Sequence, residues 1–554
     1  MDPSELIARC DRLATLADRR LALATPSEAA AARARQLHDH LYGFVRPRLS
    51  DIDAPLLVLL VGPTGAGKSS LLNTIAGAAV SKAGVLRPTT RDAVLFASEG
   101  DSRRILASGR LAAVAKERLR IAAPAATADG VAVIDAPDVD SVERDNRELA
   151  DVLVESCDLC VFVTTATRYA DLVPWEVLGR VRARGLPLVV VLNRAPADEQ
   201  DRAAVVSDAK RLLAQAGAQE PVEVIVVAEG DVDPGVDGLA RDKARPLLER
   251  IARLAAEADE RRGVAAQALA GALRGLTPLA QDIADDLEHQ AIDADALQRI
   301  AASTYAEELA SLTRALQGGL LLREEVLRRW NEFVGADQVA RFISSGIGRL
   351  RAMLLTVFRG AISAPVTVVE AEMTSTLEAL ALRHATDAAR RTAIAWSDRS
   401  EAAALIARNP ALWSASDGFG PAVRDGLAAW MRAIVDDVRA HAGRKRAVAQ
   451  VAALGVNAVG VAVMLGIFVN TAGLTGTEVG IAAGTAFLNQ KLLEAIFGEG
   501  AMGELIGNAR ARLDVLLTMR FEDERERFER LVPPPDDLRE LATGLRDAVR
   551  GMKP

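Results

Sequence analysis

Hydrophobic positions change their period along this chain, and each change marks a different kind of structure. Over residues 4–48 the apolar side chains recur at helical spacing (Leu6, Cys10, Leu13, Leu16, then Leu37, Leu41, Phe44), with a Thr-Pro-Ser break at 25–27. This predicts one or two helices before the first domain. From 56 to about 240 the texture becomes short β-rich runs, LLVLLVG, DAVLFAS, VAVIDA, LCVFVTT, LPLVVVLN and VEVIVVA, separated by helix-like stretches. Alternation of that kind predicts an α/β domain: a mostly parallel sheet with helices on both faces. From about 245 to 445 Leu/Ala/Arg/Glu periodicity dominates and predicts long helices, most apolar over 318–360 with a break around Val334-Gly335-Ala336. Residues 447–498 are rich in Gly and Ala, and 499–554 return to a charged helical pattern. The expected units are N-terminal helices at 1–50, an α/β domain at 51–245, a long all-α bundle at 246–446, an apolar helical hairpin at 447–498 and C-terminal return helices at 499–554.

Composition narrows the class. A chain of 554 residues is too long for one core, at ~100–200 residues per domain. Half of it is hydrophobic, only 4% aromatic and 26% charged, which suits long helices and not disorder. A net charge of -8 speaks against a general nucleic-acid binder, so no nucleic-acid partner is expected. Three cysteines (Cys10, Cys157, Cys160) require no disulfide framework and fit a reducing compartment. Cys157-x-x-Cys160 lacks a second pair of ligands and opens an apolar run, so strand packing is its expected role. The five histidines are scattered, and His38-x-His40 reads as a solvated helix pair. The opening MDPSELIARC has acidic residues where a signal peptide needs basic ones, which predicts a cytoplasmic protein unless a later segment anchors it.

The chemistry begins at residues 62–77, GPTGAGKSSLLNTIAG. Gly62-x-x-x-x-Gly67-Lys68-Ser69 follows an apolar strand and precedes a helical pattern, the strand–loop–helix context that the P-loop motif requires. Glycines let backbone N–H groups turn toward phosphates, the helix N-terminus adds positive potential, Lys68 reaches the β/γ-phosphates and the Ser69 hydroxyl ligates Mg²⁺. Downstream, Asp135 ends an apolar strand in VAVIDAPDVDS, where a carboxylate can hold the Mg²⁺ shell through water. Between them GVLRPTTRDAVLF places Thr89 or Thr90 to cap the γ-phosphate and Mg²⁺. VVVLNRAP supplies Asn193 and Arg194 after a buried strand, where a P-loop GTPase reads its base.

The run GPTGAGKSSLLNTIAG, RPTT, IDAPD, LNRAP and VVAEGD resembles the translation-factor-related GTPases. With the long helices and late apolar hairpin, the chain is most similar to bacterial dynamin-like proteins of an actinobacterial branch. The motif likeness covers 56–240 and the architectural likeness nearly the whole chain. The resemblance implies GTP/GDP as ligand with Mg²⁺ at Ser69, Thr90 and Asp135, and a nucleotide shell from Gly62, Gly65, Gly67, Lys68, Ser69, Ser70, Asp135, Asn193 and Arg194. Lys68, Thr90 and Thr64 are the expected catalytic positions; Thr64-Gly65 stands where dynamins carry Gln-Ser, so basal turnover should be slow. It also implies trans-activation when two nucleotide domains meet, in a homodimer or with a paralogous partner.

Two departures stand out. Asp138 replaces the glycine of the Asp-x-Pro-Gly motif, and in Asn193-Arg194-Ala195-Pro196 the guanine-reading Asp is absent. Losing that bidentate contact costs roughly 1–3 kcal/mol of guanine discrimination if nothing replaces it. Asp198 is a possible substitute, and Arg194 can stack over the base. In VTTATRYADLVPWEVLG, Arg168 is either a phosphate or dimer contact or part of a surface loop whose Tyr169 and Trp175 pack on the domain; Trp330 and Phe333 read as core or hinge packing.

Val451–Val469 is a 19-residue run with Asn457 as its one strongly polar side chain, preceded by Arg444-Lys445-Arg446. That reaches the lower length for crossing a bilayer and suits an anionic cytoplasmic leaflet. A second apolar segment with Gly480-x-x-x-Gly484 is too short to span alone, so a re-entrant or interfacial hairpin on the inner face of the cell membrane is expected, against a buried hairpin in a soluble bundle. The functional expectation is a dynamin-like GTPase coupling nucleotide state to membrane binding or remodelling. The alternatives are a nucleotide-dependent switch without remodelling and an ATP-using P-loop protein.

Overall fold

A computed structural model describes residues 3–24, 27–81, 92–123, 129–138, 144–169, 178–182, 184–215, 222–229, 232–233, 235–318, 364–442, 465 and 499–552. They form two compact units, the first from 1–291 with 535–554 and the second from 292–534.

The first unit is built on a seven-stranded sheet: β1 (Leu56–Val61), β2 (Ala93–Phe96), β3 (Leu119–Ala122), β4 (Val131–Asp135), β5 (Leu159–Thr165), β6 (Leu188–Ala195) and β7 (Glu223–Ala228), in the order β3-β2-β4-β1-β5-β6-β7. Strands β4, β1, β5, β6 and β7 run parallel, while β2 pairs antiparallel with β4 and parallel with β3. Every residue of β1, β4 and β5 is buried, the reason their sequences are continuous apolar runs and not alternating ones. The six runs singled out in the sequence are all strands. β3 is additional: its sequence LRIA is short, contains a charge and leaves Ile121 45% exposed, so its hydrophobic signal is weak.

Helices cover both faces. On one, Leu56, Val58, Leu60, Val133 and Val161 pack with Leu71 and Leu72 of α4 (Lys68–Ala76), Leu247 and Leu254 of α8 (Arg245–Ala256), and Ala265 at the start of α9 (Ala258–Gly318). On the other, α6 (Arg144–Ser156) lies against β1 and a π-helical turn at Leu41–Val45, which continues from α2 (Glu28–His40) into α3 (Arg46–Ser50). Ser27 caps α2 through its side chain, the reason the Thr-Pro-Ser stretch separates α2 from α1 (Pro3–Ala22). The chain ends meet: α1 packs against α14 (Pro535–Val549), with Leu16 beside Gly544, and Arg546 of α14 binds Asp285 at 2.5 Å as well as Glu288 on α9. A further helix–loop contact is backbone to backbone, because a Cβ added at Gly271 of α9 would stand 2.0 Å from the Gly185 carbonyl.

Below the sheet, at the N-terminal ends of β1 and β5, Asp158 is fully buried with Arg48 at 2.5 Å, Arg110 at 2.7 Å and the Leu57 amide at 2.7 Å. Burial pushes this carboxyl up, but Arg110, Arg48 and the amide outweigh it and hold it below the usual carboxylate range. His40 is also buried, its ring nitrogens facing Glu155 at 2.5 Å and the Ala272 carbonyl at 3.3 Å, so it ties α2 to α6 and α9 and is not the solvated residue expected. His38 is the half-exposed member of the pair.

The second unit is all helix among its described residues: the latter part of α9, then α10 (Ala364–Ser397), α11 (Ser400–Arg408), α12 (Phe419–Ala442) and α13 (Glu499–Glu529). Its core is held by edge-to-face aromatics, Trp396 with Phe528 at 5.4 Å and Phe419 with Phe521 at 5.9 Å. Trp396 and Trp430 donate their indole N–H groups to the Leu297 and Ala509 carbonyls, at 3.1 and 2.7 Å. Residues 319–360, with Trp330 and Phe333, and most of the 447–498 hairpin lie outside the described residues. Among the described residues no helix is long and apolar enough to cross a membrane.

Candidate nucleotide site

The C-terminal ends of β1, β4, β5 and β6 face one side of the sheet, the edge where α/β folds present their ligands. After β1 the chain turns through Gly62–Gly67 into α4. Gly62 is required by packing, since a Cβ there would meet the Val163 carbonyl of β5 at 2.0 Å. Gly67, with φ +94°, stands at the helix N-cap, and a Cβ there would lie 2.4 Å from the Asn193 amide nitrogen. Its lack of a side chain lets Asn193 reach the loop. Gly65 is left-handed at φ +78° with open space around it, at the exposed tip of the turn. Gly62, Gly65 and Gly67 thus shape a loop that opens onto the start of α4, whose first-turn amides have no acceptor within the helix.

Lys68 is buried, and its ammonium donates to the Gly62 carbonyl at 2.9 Å, the Pro63 carbonyl at 3.2 Å and Asp138 Oδ1 at 2.6 Å. Next to it Ser69 Oγ donates to Asp135 Oδ2 at 2.6 Å, and Ser81 Oγ donates to the same oxygen at 2.8 Å. Asp135 is fully buried; desolvation pushes its carboxyl up despite Lys68 and the two hydroxyls. Its second oxygen, Oδ1, is buried without a hydrogen-bond partner. A serine hydroxyl beside a carboxylate with one unsatisfied oxygen is a donor set that fits Mg²⁺, which takes few protein ligands and keeps several waters. Groups of three or more His, Cys, Asp or Glu side chains suited to a metal are absent among the described residues. Ser70 sits half-buried in the first turn, its carbonyl accepting from Thr74 at 2.8 Å.

From β6, Asn193 Nδ2 donates to the Ala66 carbonyl at 2.8 Å, while its Oδ1 accepts from the Arg194 amide at 2.9 Å. This geometry comes from a register shift between Leu192 and Ala195 where β6 meets β7, with Arg194 exposed at φ +52°. A bulge re-aims a strand side chain, here turning Asn193 onto the phosphate loop. Asp198 does something else: its Oδ1 accepts the Gln200 and Asp201 amides at 2.9 and 3.0 Å and so caps α7 (Glu199–Gln215). From the end of β5, Arg168 donates to the Thr64 carbonyl at 2.7 Å, and Tyr169 donates to Asp208 of α7 at 2.8 Å. Arg168 therefore braces the phosphate loop while Tyr169 packs on the domain. Thr89, Thr90 and Trp175 lie outside the described residues.

Sequence reasoning did not find Ser81, Asn73 or the partner of Asp138. Asn73 accepts the Val80 and Ser81 amides at 2.9 and 2.7 Å and donates to the Ser81 and Asp237 carbonyls. It thereby folds the chain after α4 back so that Ser81 meets Asp135. A polar residue inside the apolar stretch SLLNTIAG was the available signal. Cys157 and Cys160 are buried thiols, and burial raises both, Cys157 to about 11, in keeping with strand packing.

This constellation has sequence counterparts. Residues 57–194 match the family described as 50S ribosome-binding GTPase. The α/β domain is a P-loop GTPase domain. GTPase Der from Synechococcus sp. (strain CC9311) is 29% identical over 182 residues, 32% of this chain, and the chain spans 36% of that relative's length. Among solved structures, Aquifex aeolicus Era bound to GDP and AlF4⁻ aligns at 17% identity over 35% of this chain and 56% of its own, with a TM-score of 0.24. A bacterial dynamin pair described as sensing and tethering membranes aligns over 94% of this chain and 92% of its own, at 11% identity and a TM-score of 0.39. LeoA, a bacterial dynamin GTPase from ETEC, aligns over 99% and 94% at 12% identity and a TM-score of 0.25.

Proposed function

We propose that this protein binds and hydrolyses GTP with Mg²⁺ and couples the nucleotide state to binding or remodelling of an anionic membrane, as a dynamin-like GTPase. The observation that carries the nucleotide part is the convergence of Lys68, Ser69, Asp135 and Asn193 around one glycine-shaped loop at the C-terminal edge of the sheet. In this reading the loop amides from Gly62 to Ser70 hold the phosphates, Lys68 neutralises the terminal ones, and Ser69 with water held by Asp135 binds the metal. When bound, Mg²⁺ neutralises charge on the phosphate oxygens. Thr90 completes the metal side as a switch residue, and Thr64, braced by Arg168, stands where the hydrolytic water or a partner's site is approached. Asn193 fixes the loop, and Arg194 stacks on the base. A second nucleotide domain, from another copy or a paralogue, completes the site.

The membrane part rests on the sequence of 447–498, an apolar stretch behind a basic triplet, uncharged from 447 to 477. Association with the inner face of the cell membrane follows from it.

The observation favouring the ATP alternative is that Asp198 is engaged as a helix cap and leaves the guanine edge without an aspartate from this segment. Steady-state hydrolysis of GTP and of ATP, with and without anionic liposomes and with Lys68→Ala as control, separates these readings. GTP turnover raised several-fold by liposomes and abolished by Lys68→Ala is expected. Lipid-indifferent GTP turnover would favour the switch, and preference for ATP would remove the guanine assignment.

A further inference from the structure

Ser81 puts a second hydroxyl on the carboxylate that serves the metal. Asp135 Oδ2 accepts from Ser69 Oγ at 2.6 Å and from Ser81 Oγ at 2.8 Å, whereas Oδ1 of the same carboxylate is buried with no partner among the described residues. A carboxylate oxygen offers two lone pairs, so the two hydroxyls fill Oδ2 and leave Oδ1 as the oxygen still able to accept. A buried acceptor left without a hydrogen bond is costly and calls for a partner. Ser69 can keep its bond to Oδ2 while its own oxygen faces a cation, because the proton and the lone pairs of a hydroxyl point in different directions.

The Ser81 hydroxyl is delivered by a backbone scaffold. Asn73, fully buried on α4, accepts the Ser81 amide at 2.7 Å and donates to the Ser81 carbonyl at 2.8 Å, and it also accepts the Val80 amide at 2.9 Å. Ser69 and Asn73 stand one helical turn apart on α4, so a single helix face fixes both hydroxyls, one directly and one through the Ser81 backbone. Ser81 is itself 4% exposed, which keeps solvent from standing in for its hydroxyl.

We propose that Ser81 is a positioning residue for the metal: with Ser69 it locks Asp135 through Oδ2 and so reserves Oδ1 for a water of the Mg²⁺ shell. The inference rests on the Mg²⁺-dependent P-loop GTPase reading and deepens it. Without the Ser81 hydroxyl, Oδ2 regains a free lone pair and the carboxylate can turn, offering the metal's water either oxygen. The loss falls on the metal and spares the loop amides that serve the phosphates. Outer partners of this kind are worth 10–100-fold in metal affinity.

Ser81→Ala removes the hydroxyl and leaves the bonds to Asn73, which are made by the Ser81 backbone. The test titrates Mn²⁺ into the full chain saturated with GDP, reading free Mn²⁺ by electron paramagnetic resonance, and measures GDP affinity separately in EDTA. Ser81→Ala should bind Mn²⁺ about tenfold more weakly, with metal-free GDP affinity within about twofold of the wild type. A merely structural role would lower both together. Unchanged Mn²⁺ affinity, an equal loss of metal and metal-free GDP binding, or a variant that no longer binds GDP would overturn the inference. A wild type that binds neither GDP nor GDP-dependent Mn²⁺ would remove the P-loop GTPase reading itself, and this inference with it.

Discussion

Buried charge at single residues ties the nucleotide domain to the helices preceding it. Asp158 accepts from Arg48 of α3 and Arg110 of the segment after α5 (Glu99–Ala107), both of them at most 1% exposed. Replacing Asp158 by Ala would leave two guanidiniums buried without their anion, and the expected loss is about 3–5 kcal/mol. Urea unfolding of the purified variant checks this; a loss below about 1 kcal/mol would mean that carbonyls alone satisfy the arginines. The same group makes a pH prediction. Its folded carboxyl titrates below the usual range, so the unfolded chain binds the proton first as acid is added. Its stabilisation is therefore complete above about pH 4, the ordinary carboxylate value, and is lost as pH falls toward the folded value. Melting temperature should fall below pH 4 in the wild type, with a shallower acid slope in Asp158→Asn.

Among the elements, the packing of α9 on the nucleotide domain depends on having no side chain at the crossing. Gly271 and Gly185 approach so closely that a methyl group at position 271 would overlap the Gly185 carbonyl, where no rotamer change can relieve it. Gly271→Ala should destabilise the first unit by about 1–3 kcal/mol, and with the loop displaced it should shift the melting of the nucleotide domain. Differential scanning calorimetry with and without GDP checks it, and an unchanged transition would mean that helix and loop separate freely. This contact was not legible in the sequence. The periodicity of α9 marks it as a helix, but nothing local marks Gly271 off from Gly263 or Gly275. The strands of the central sheet, by contrast, were legible because burial on both faces demands uninterrupted apolar runs. β3 at the edge was not, because an edge strand needs no such run.

For the whole molecule, the proposal joins a nucleotide domain to a membrane-facing segment within one chain. Deleting 447–498 should abolish co-sedimentation with anionic liposomes and the lipid stimulation of GTP turnover, while GDP affinity stays within about twofold because the deleted residues lie outside the nucleotide unit. Retained liposome binding by the deletion would place the membrane contact elsewhere.

By itself the sequence determined the P-loop, the strand–helix alternation of the α/β domain and the helical character of the described residues beyond 245. Each of these is a local pattern: glycine spacing, hydrophobic period and a lysine beside a serine. Tertiary structure alone decided that α14 returns to α1, that Ser81 shares Asp135 with Ser69, that a β-bulge aims Asn193 at the phosphate loop, and that Asp198 caps a helix. It also decided that Asp138, legible only as a departure from a motif, holds the P-loop lysine. Most of these contacts join residues tens or hundreds of positions apart. Their geometry is set by how strands pair and helices pack, and no short-range pattern in the chain encodes it.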